Sequence, residues 1–467
     1  MKYYNEDGKE KVRDLKIAYV GGGSRGWAWG LMSDLLTFDD ISGEVSLYDI
    51  DLEAAKRNEV IGNKFNSAEG AKTHWNYSVK NTLAEALSGA DFVIISIMPG
   101  TFDEMESDVH TPEKYGIYQS VGDTVGVGGI IRSLRTAPMM EEIALAVRDN
   151  CPDAWVINYT NPMTLSVKTL YRAFPKIKAF GCCHEVFGTQ NFLTEVLEKT
   201  LGITGVRREE IKVNPIGINH FTWLTEARYE NIDLYDVYPK FIEEYYESGY
   251  ESDQLDNWLN KFWRHAERVK MDLFKRYGVI AAAGDRHLAE FCPGSWYLKD
   301  RDCVDEWKFA ITGIEWRRED LKNRLKKSDD LISGKISPEI KPTGEEGVLQ
   351  IRSLLGLTEL ITNVNIPNVG QIPNLPLGAV VETNAIFRKN ELKPVFAGEI
   401  PKSIYALIAG IVGEQEALDE AIANRSLEEA FNVFVTDRQV HLSLSDARSL
   451  FEEMVENTKK YLGDYFK

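Results

Sequence analysis

Cysteine is scarce in this chain: five in 467 residues, namely Cys151, Cys182, Cys183, Cys292 and Cys303. A sparse, odd-numbered set excludes the disulfide framework of a small secreted protein, and reduced thiols are the expected state. Positive charge is also short, with 54 lysines and arginines against 72 aspartates and glutamates and a formal net charge of −18. Such a field repels a phosphate backbone, so no nucleic-acid partner is expected. Nowhere do 18 apolar residues run together, and the opening MKYYNEDGKEKVRDLK lacks the apolar stretch of a leader. No membrane association is expected, and a cytoplasmic location is. Internal repeats are absent. What is present, 43% hydrophobic and 27% charged residues, suffices for two or three domains with sizeable cores.

The first half alternates short β-rich runs with helical stretches, the sequence form of a parallel sheet covered on both faces. Strands are predicted at Lys16 to Val20, Val45 to Asp49, Phe92 to Met98, Trp155 to Tyr159 and Ile177 to Phe180. Helices are predicted at Trp27 to Leu36 and Leu52 to Phe65, where apolar residues recur at helical spacing. The pattern is that of an α/β, Rossmann-like, doubly wound domain over residues 1–203. From 204 to 467 a mixed α/β domain is expected to carry substrate and oligomer contacts. In it, Val213 to Phe221 reads as a strand and Asp253 to Tyr277 as helical. The polar stretch Lys326 to Glu346 reads as a surface connection, and Ser445 to Tyr461 as a closing helix opened by a Ser or Asp cap.

KIAYVGGGSRGWAWG places Gly21, Gly23 and Gly26 in G-x-G-x-x-G spacing, after a strand and before a helix. Without Cβ atoms the backbone can turn sharply and approach a pyrophosphate, whose charge meets unpaired N–H groups at the positive helix end. Asp49 ends the next strand, where a carboxylate accepts from a ribose diol and repels a 2′-phosphate. The bland alternative is a strand-to-helix turn with no ligand, but strand, glycines, helix and acid agree on NAD. Gly22, Ser24, Arg25, Ser96 and Asn158 are the further cofactor contacts expected around this turn and the neighbouring strand ends.

Four clusters fall where strands could end on the same edge, and all but the first follow or end an apolar strand: Gly122-Asp123-Thr124, Asn158 to Pro162, Gly181 to Glu185, and Gly217 to His220. Cys183 and His220 offer a thiolate and an imidazole from two strand ends, leaving coordination positions open for substrate oxygens. Plain packing is the alternative, since no C-x-x-C or H-x-x-x-H pair accompanies them. His184 and Glu185 are candidates for acid and base, or for simple hydrogen bonding. Asn161, before Pro162, offers an amide to a substrate hydroxyl or caps the helix that follows. The run Asp285-Arg286-His287-Leu288-Ala289-Glu290 packs four ionisable groups into six residues.

Taken together, GGGSRGW, GDTVGVGG, NYTNP, GCCHE, GINHF, IPNVGQIPNLP and Val381-Glu382-Thr383 resemble the NAD- and metal-dependent glycoside hydrolases of family 4. QSVGDTVG, GGIIR, CCHEVFGTQ, GINHFTW and AAGDRHLAEF are similar to its α-galacturonidase branch. The resemblance implies a fold like that of lactate and malate dehydrogenases, assembled as a homodimer or homotetramer. It implies NAD and Mn2+ as cofactors, with Cys183 and His220 as metal ligands and Asp123 and Asn161 on substrate hydroxyls. It makes His184 the general acid. Related branches use a tyrosine as base, and Asp285 aligns with that place. A sugar-acid substrate then asks for a cationic contact, for which Arg286, with His287 beside it, or Arg132 and Arg135 are the candidates.

Ordinary glycosidases set two carboxylates across the scissile bond, and the NAD-dependent members of family 4 are an exception. The parts named above suit oxidation at C3, elimination across C1 and C2, addition of water and re-reduction. The competing expectations are an NAD-dependent hydroxy-acid dehydrogenase, which accumulates free NADH, and a non-catalytic NAD-sensing protein, indifferent to loss of Cys183 or His220.

Overall fold

A computed structural model describes residues 1–6, 8–251 and 265–466. Its main sheet is built from β1 (Lys2–Glu6), β2 (Lys9–Val20), β3 (Ile41–Tyr48), β4 (Trp75–Val79), β5 (Phe92–Ile95), β6 (Trp155–Asn158) and β7 (Lys178–Gly181). The runs IAYV, FVII and WVIN are apolar on successive residues because helices cover both faces of these strands. The parallel strands lie in the order β4-β3-β2-β5-β6-β7, with β1 folded back antiparallel on β2. Counted from β2 this is 3-2-1-4-5-6, the doubly wound Rossmann arrangement. The order reverses between β2 and β5, whose last residues Val20 and Ile95 are partners. A crevice therefore opens at their carboxyl ends.

The covering helices include α1 (Trp27–Leu35), α2 (Leu52–Phe65), α3 (Gly126–Asn150), α4 (Met163–Ala173) and α5 (Glu185–Leu201). The first two match the apolar spacing. Each opens just after a strand ends or a loop leaves the sheet edge, so their first turns face the crevice.

The expected strand over Val213 to Phe221 is instead two, β8 (Ile211–Ile218) and β9 (Phe221–Tyr229), because the chain reverses at Asn219-His220. His220 takes the left-handed conformation, φ 63°, that closes this turn. β10 (Ile232–Asp233) and β11 (Ile280–Ala281) pair with β9 to complete a small second sheet. β12 (Leu360–Pro367), β13 (Val380–Arg388) and β14 (Glu391–Pro394) follow as an antiparallel ribbon. This ribbon joins the first sheet through the Asn365–Gly181 pairing. The sheet thus runs past the border expected near residue 203, and Phe180 meets Phe387 edge-on at 5.2 Å.

Of the helix expected over Asp253 to Tyr277, residues 253–264 lie outside the described residues, and α6 (Arg268–Tyr277) forms the remainder. After it come α7 (Asp285–Glu290) and α8 (Ile314–Ser333). The stretch Lys326 to Glu346 is therefore not a loose connection throughout: its first part completes α8. The chain closes on a helix over Leu444–Leu462, whose Ser443 hydroxyl accepts from Asp446 N. Among the described residues no helix is long and apolar enough to cross a membrane.

The glycine-rich loop before α3 is fixed by buried polar groups rather than by side-chain packing, since it has few side chains to pack. Glu290 Oε1 accepts from Val121 N at 2.6 Å and Gly122 N at 2.7 Å, and Gln119 Oε1 accepts from Gly128 N at 2.8 Å. Burial pushes Glu290 up to about 8 from an ordinary 4.5, although these two N–H groups oppose the rise. The folded state therefore keeps a proton that the unfolded chain gives up, and this residue's contribution to stability falls as pH climbs from about 4.5 to about 8. In Glu290→Gln the amide oxygen keeps the two N–H contacts. Urea unfolding of that variant is expected to lose less stability between those limits than wild type, and identical pH slopes would refute the buried, protonated state.

Candidate active site

The first wall of the crevice is the turn from β2 to α1. Gly21, at φ 94°, runs so close to β5 that a Cβ there would stand 2.1 Å from Ser96 O. Asp49 Oδ2 accepts from Gly23 N at 2.8 Å, and a Cβ on Gly23 would sit 2.8 Å from the same oxygen. Asn58 fastens the other side by donating to Gly22 O at 2.7 Å and Ser24 O at 2.8 Å. Arg25 pairs with Asp51 at 3.9 Å. α1 begins at Gly26 with no side-chain cap, so its first N–H groups face the crevice unclaimed by a side chain. A cradle that only glycine fits, an uncapped helix start and a carboxylate at the next strand end suit a dinucleotide's pyrophosphate and ribose.

Asn158 takes a different part from the one expected of it. It is fully buried, its Nδ2 donates to Thr160 O at 3.0 Å and its Oδ1 accepts from Thr160 N at 3.2 Å. Its amide shapes the NYTNP turn.

The second wall is where the glycine-rich loop before α3 meets the segments that follow β6 and β8. Thr124 Oγ1 lies 2.7 Å from Asp123 Oδ1 and 2.9 Å from His220 Nδ1. A hydroxyl has one proton; given to the carboxylate, it leaves His220 Nδ1 to donate and exposes the Nε2 lone pair. Asn161 Nδ2 donates to Asp123 Oδ2 at 3.2 Å, which brings these two expected substrate contacts side by side. The His287 ring lies against His220 with centroids 3.8 Å apart, and its Nδ1 is buried with no hydrogen-bond partner. Asp123, His220 and His287 each bring a ligand atom to within 4.8 Å of the others. One carboxylate and two imidazoles are a donor set for a borderline divalent cation, and they fit such an ion.

Cys183 lies outside that group of three. It follows β7, is 8% exposed, and its carbonyl accepts from Asn363 Nδ2 at 3.3 Å. Burial, with Glu382 and Glu185 nearby, pushes its thiol well above the ordinary range. His184, at the start of α5, is half exposed, with Nδ1 3.2 Å from Glu345 and its ring 6.1 Å from that of Trp27. Burial works against its charge, but Glu345 and Glu185 outweigh it and raise the imidazole to about 9, so it holds a proton at neutral pH. Glu185 stands between His184 Nε2 at 3.9 Å and His287 Nε2 at 3.8 Å, and its Oε2 accepts from Gly284 N at 2.7 Å. Burial opposes its ionisation, yet the imidazoles on either side hold it well below the usual carboxylate range.

Two expectations are corrected by geometry. Asp285 has both oxygens engaged, accepting from Val269 N at 3.2 Å and Lys270 N at 3.0 Å, and so caps α6. Arg286 donates from Nε to Ala310 O at 2.7 Å and from Nη2 to Ser120 O at 2.8 Å and Thr312 Oγ1 at 2.6 Å. It braces the loop in front of Asp123 instead of facing a substrate carboxylate. Arg135 is likewise taken, paired with fully buried Asp108 and donating to Pro99 O at 2.8 Å. Arg132 differs: among the described residues it donates only Nε, to Asn161 O at 3.2 Å, and it lies in the field of Asp123. Thr124 is marked in the sequence only as a member of the Gly122-Asp123-Thr124 cluster, and Glu345 and Trp27 carry no site role there. Thr124 adjoins Asp123, which is a usable signal; Glu345 arrives from a distant polar segment with none.

The sequence profile of family 4 glycosyl hydrolases matches residues 16–199, and that of the family's C-terminal domain matches residues 215–440. An α-galacturonidase from Thermoanaerobacterium saccharolyticum is 61% identical over 452 residues, 97% of either chain. The crystal structure of lplD from Bacillus subtilis is 51% identical, covers 95% of this chain and 100% of its own, and superposes with a TM-score of 0.90. A 6-phospho-α-glucosidase from gut microorganisms, solved with NAD and Mn2+, shares the fold at 20% identity and a TM-score of 0.75, over 97% of this chain and 99% of its own. With profile matches in both halves and a relative of 61% identity along nearly its whole length, this chain belongs to glycosyl hydrolase family 4 and is a glycosidase.

Proposed function

We propose that this glycosidase cleaves α-galacturonides, including the di- and oligogalacturonates derived from pectin, with bound NAD and a divalent ion, Mn2+, and with no net oxidation. The observation that carries the reading is the meeting of the glycine turn, the Asp123–His220–His287 group and the protonated His184 at one sheet edge. The likeness to an α-galacturonidase along almost the whole chain supports the choice of sugar.

When bound, NAD supplies a reversible hydride acceptor for C3 of the sugar, and the ion supplies Lewis acidity at the C2 and C3 oxygens. Gly21, Gly23 and Gly26 give the nucleotide its close approach, and Asp49 takes the ribose. Asp123 and His220 would hold the ion, with Cys183, the ligand that family likeness adds, in place of His287. Thr124 fixes the His220 tautomer, an outer contact of the kind that orients metal-binding imidazoles. Asn161 donates to a substrate hydroxyl. With Asp285 committed to α6, His287 takes the C2 proton: it is a neutral imidazole beside the ion, oriented by Glu185. His184 gives its proton to the departing glycosidic oxygen, and Glu345 holds it in place. Water would then add at C1, giving a proton to His184, while His287 returns its proton to C2.

The function is tested with p-nitrophenyl α-glycosides and galacturonate oligomers, assayed with NAD, Mn2+ and a thiol. Galacturonides should be cleaved and neutral galactosides poorly; accumulation of free NADH would favour a dehydrogenase instead. The uronate carboxylate is assigned to Arg132. Loss of a hydrogen bond to a charged group predicts that Arg132→Gln raises KM for a galacturonide about tenfold or more, with little change for a galactoside. An equal rise for both would remove Arg132 from carboxylate recognition.

His287→Ala is expected to lower kcat about a hundredfold or more, as loss of a proton acceptor does, while Mn2+ binding followed by electron paramagnetic resonance persists. Loss of the ion from that variant would make His287 a ligand and return the base role to another group.

A further inference from the structure

Helix α8 comes from the C-terminal half, yet it lies along the nucleotide-binding half. Arg57 Nε donates to Ser328 Oγ at 3.1 Å, and Lys64 Nζ donates to Leu331 O at 2.9 Å, which fasten the end of α8 to α2. Beyond the helix the chain crosses α1, where Lys341 N donates to Ser33 Oγ at 2.8 Å and Thr343 N to Asp34 Oδ1 at 2.9 Å. On the inner side of α8, Arg324 reaches the glycine turn itself. Its Nη1 donates to Arg25 O at 3.0 Å and stands 2.5 Å from the place a Cβ on Gly26 would take. Its Nε is held by Asp320 Oδ2 at 2.6 Å, one helical turn earlier. Arg317, two turns before Arg324 on the same helix face, lies in the field of Asp123 and Arg132. The inner face of α8 therefore follows the cleft from its sugar end to its nucleotide end.

The guanidinium of Arg324 stands beside the residue from which α1 starts without a side-chain cap. Two sources of positive potential, the helix start and this side chain, converge there from opposite halves of the chain. The rest of the protein carries a large excess of negative charge, so an anionic cofactor needs such a local reversal. We propose that Arg324 is a cofactor-binding residue supplied by the C-terminal half: with the dinucleotide seated, its guanidinium meets the pyrophosphate across from the glycine turn, and α8 forms the outer wall of the site. Asp320 holds the side chain in place, and the planar fork suits paired hydrogen bonds to phosphate oxygens. A reaction that returns its nicotinamide to the starting oxidation state has use for such a wall, because the cofactor does not have to leave between turnovers. The inference rests on the nucleotide reading given under Proposed function.

Calorimetric titration of the full chain with NAD, ADP and adenosine tests it. In Arg324→Gln, affinity for NAD and ADP is expected to fall about tenfold or more, as for a lost charge-assisted hydrogen bond, while adenosine, which has no phosphate, binds as to wild type. Arg324→Lys should recover part of the ADP affinity. Unchanged ADP binding in Arg324→Gln, or an equal loss for ADP and adenosine, overturns the assignment. Should Arg324→Gln not fold, Asp320→Asn leaves the guanidinium charged but unheld. ADP is then expected to bind severalfold more weakly and adenosine not, and equal affinity for ADP in that variant and wild type overturns the assignment. Wild-type protein that binds adenosine and no ADP or NAD would bring down the nucleotide reading itself.

Discussion

A single hydroxyl, Thr124 Oγ1, stands between a carboxylate and an imidazole, and the site depends on the proton it carries. Donated to Asp123, that proton obliges His220 to donate from Nδ1, which leaves the Nε2 lone pair available for coordination. The arrangement works only if backbone segments far apart in sequence hold their positions to within a few tenths of an ångström. Thr124 sits on a glycine-rich loop with few side chains of its own, and His220 on a two-residue hairpin turn. Each has to be fixed from outside.

The external support comes from ionisable groups that look catalytic in sequence. Glu290 and Arg286 tie the loop at Val121, Gly122 and Ser120, and Asp285 caps the neighbouring helix. A buried carboxylate or guanidinium is costly unless hydrogen-bonded, and these have backbone partners that repay burial with a fixed geometry. The chain as a whole is acidic, but at the crevice it gathers Arg132, Arg317 and Arg324 around Asp123 and the glycine turn. Local charge of that sign is what a uronate and a pyrophosphate require from an otherwise repelling surface.

The doubly wound sheet was legible because strands buried on both faces read as short apolar runs, and because the glycine turn fixes where the first one ends. The hairpin β8–β9 reads as one strand in sequence: GINHF carries no Gly-Asn or Asn-Gly pair, and the left-handed residue is a histidine. Local sequence likewise marks Asn161, His184 and His220, where motif and strand end coincide, whereas Asp123 is marked by its glycine-rich run alone. It could not separate Asp285 and Arg286 from His287. Along α7 these neighbours point in different directions, and which one faces the crevice depends on how α7 packs against α6 and the 310–312 segment. Glu345 and Arg324 were beyond local reading for a related reason: each acts on a residue more than a hundred positions away, from a stretch whose polarity resembles that of a solvated surface.

Removal of a proton from C2 is the step that sets this account apart from direct displacement at the anomeric carbon. Hydrolysis of a galacturonide with ordinary hydrogen at C2, carried out in deuterium oxide with NAD and Mn2+ present, measures it. The account predicts that the released galacturonate carries deuterium at C2, seen by proton NMR as loss of that resonance. A product that keeps its original hydrogen at C2 while the glycosidic bond is cleaved would contradict it.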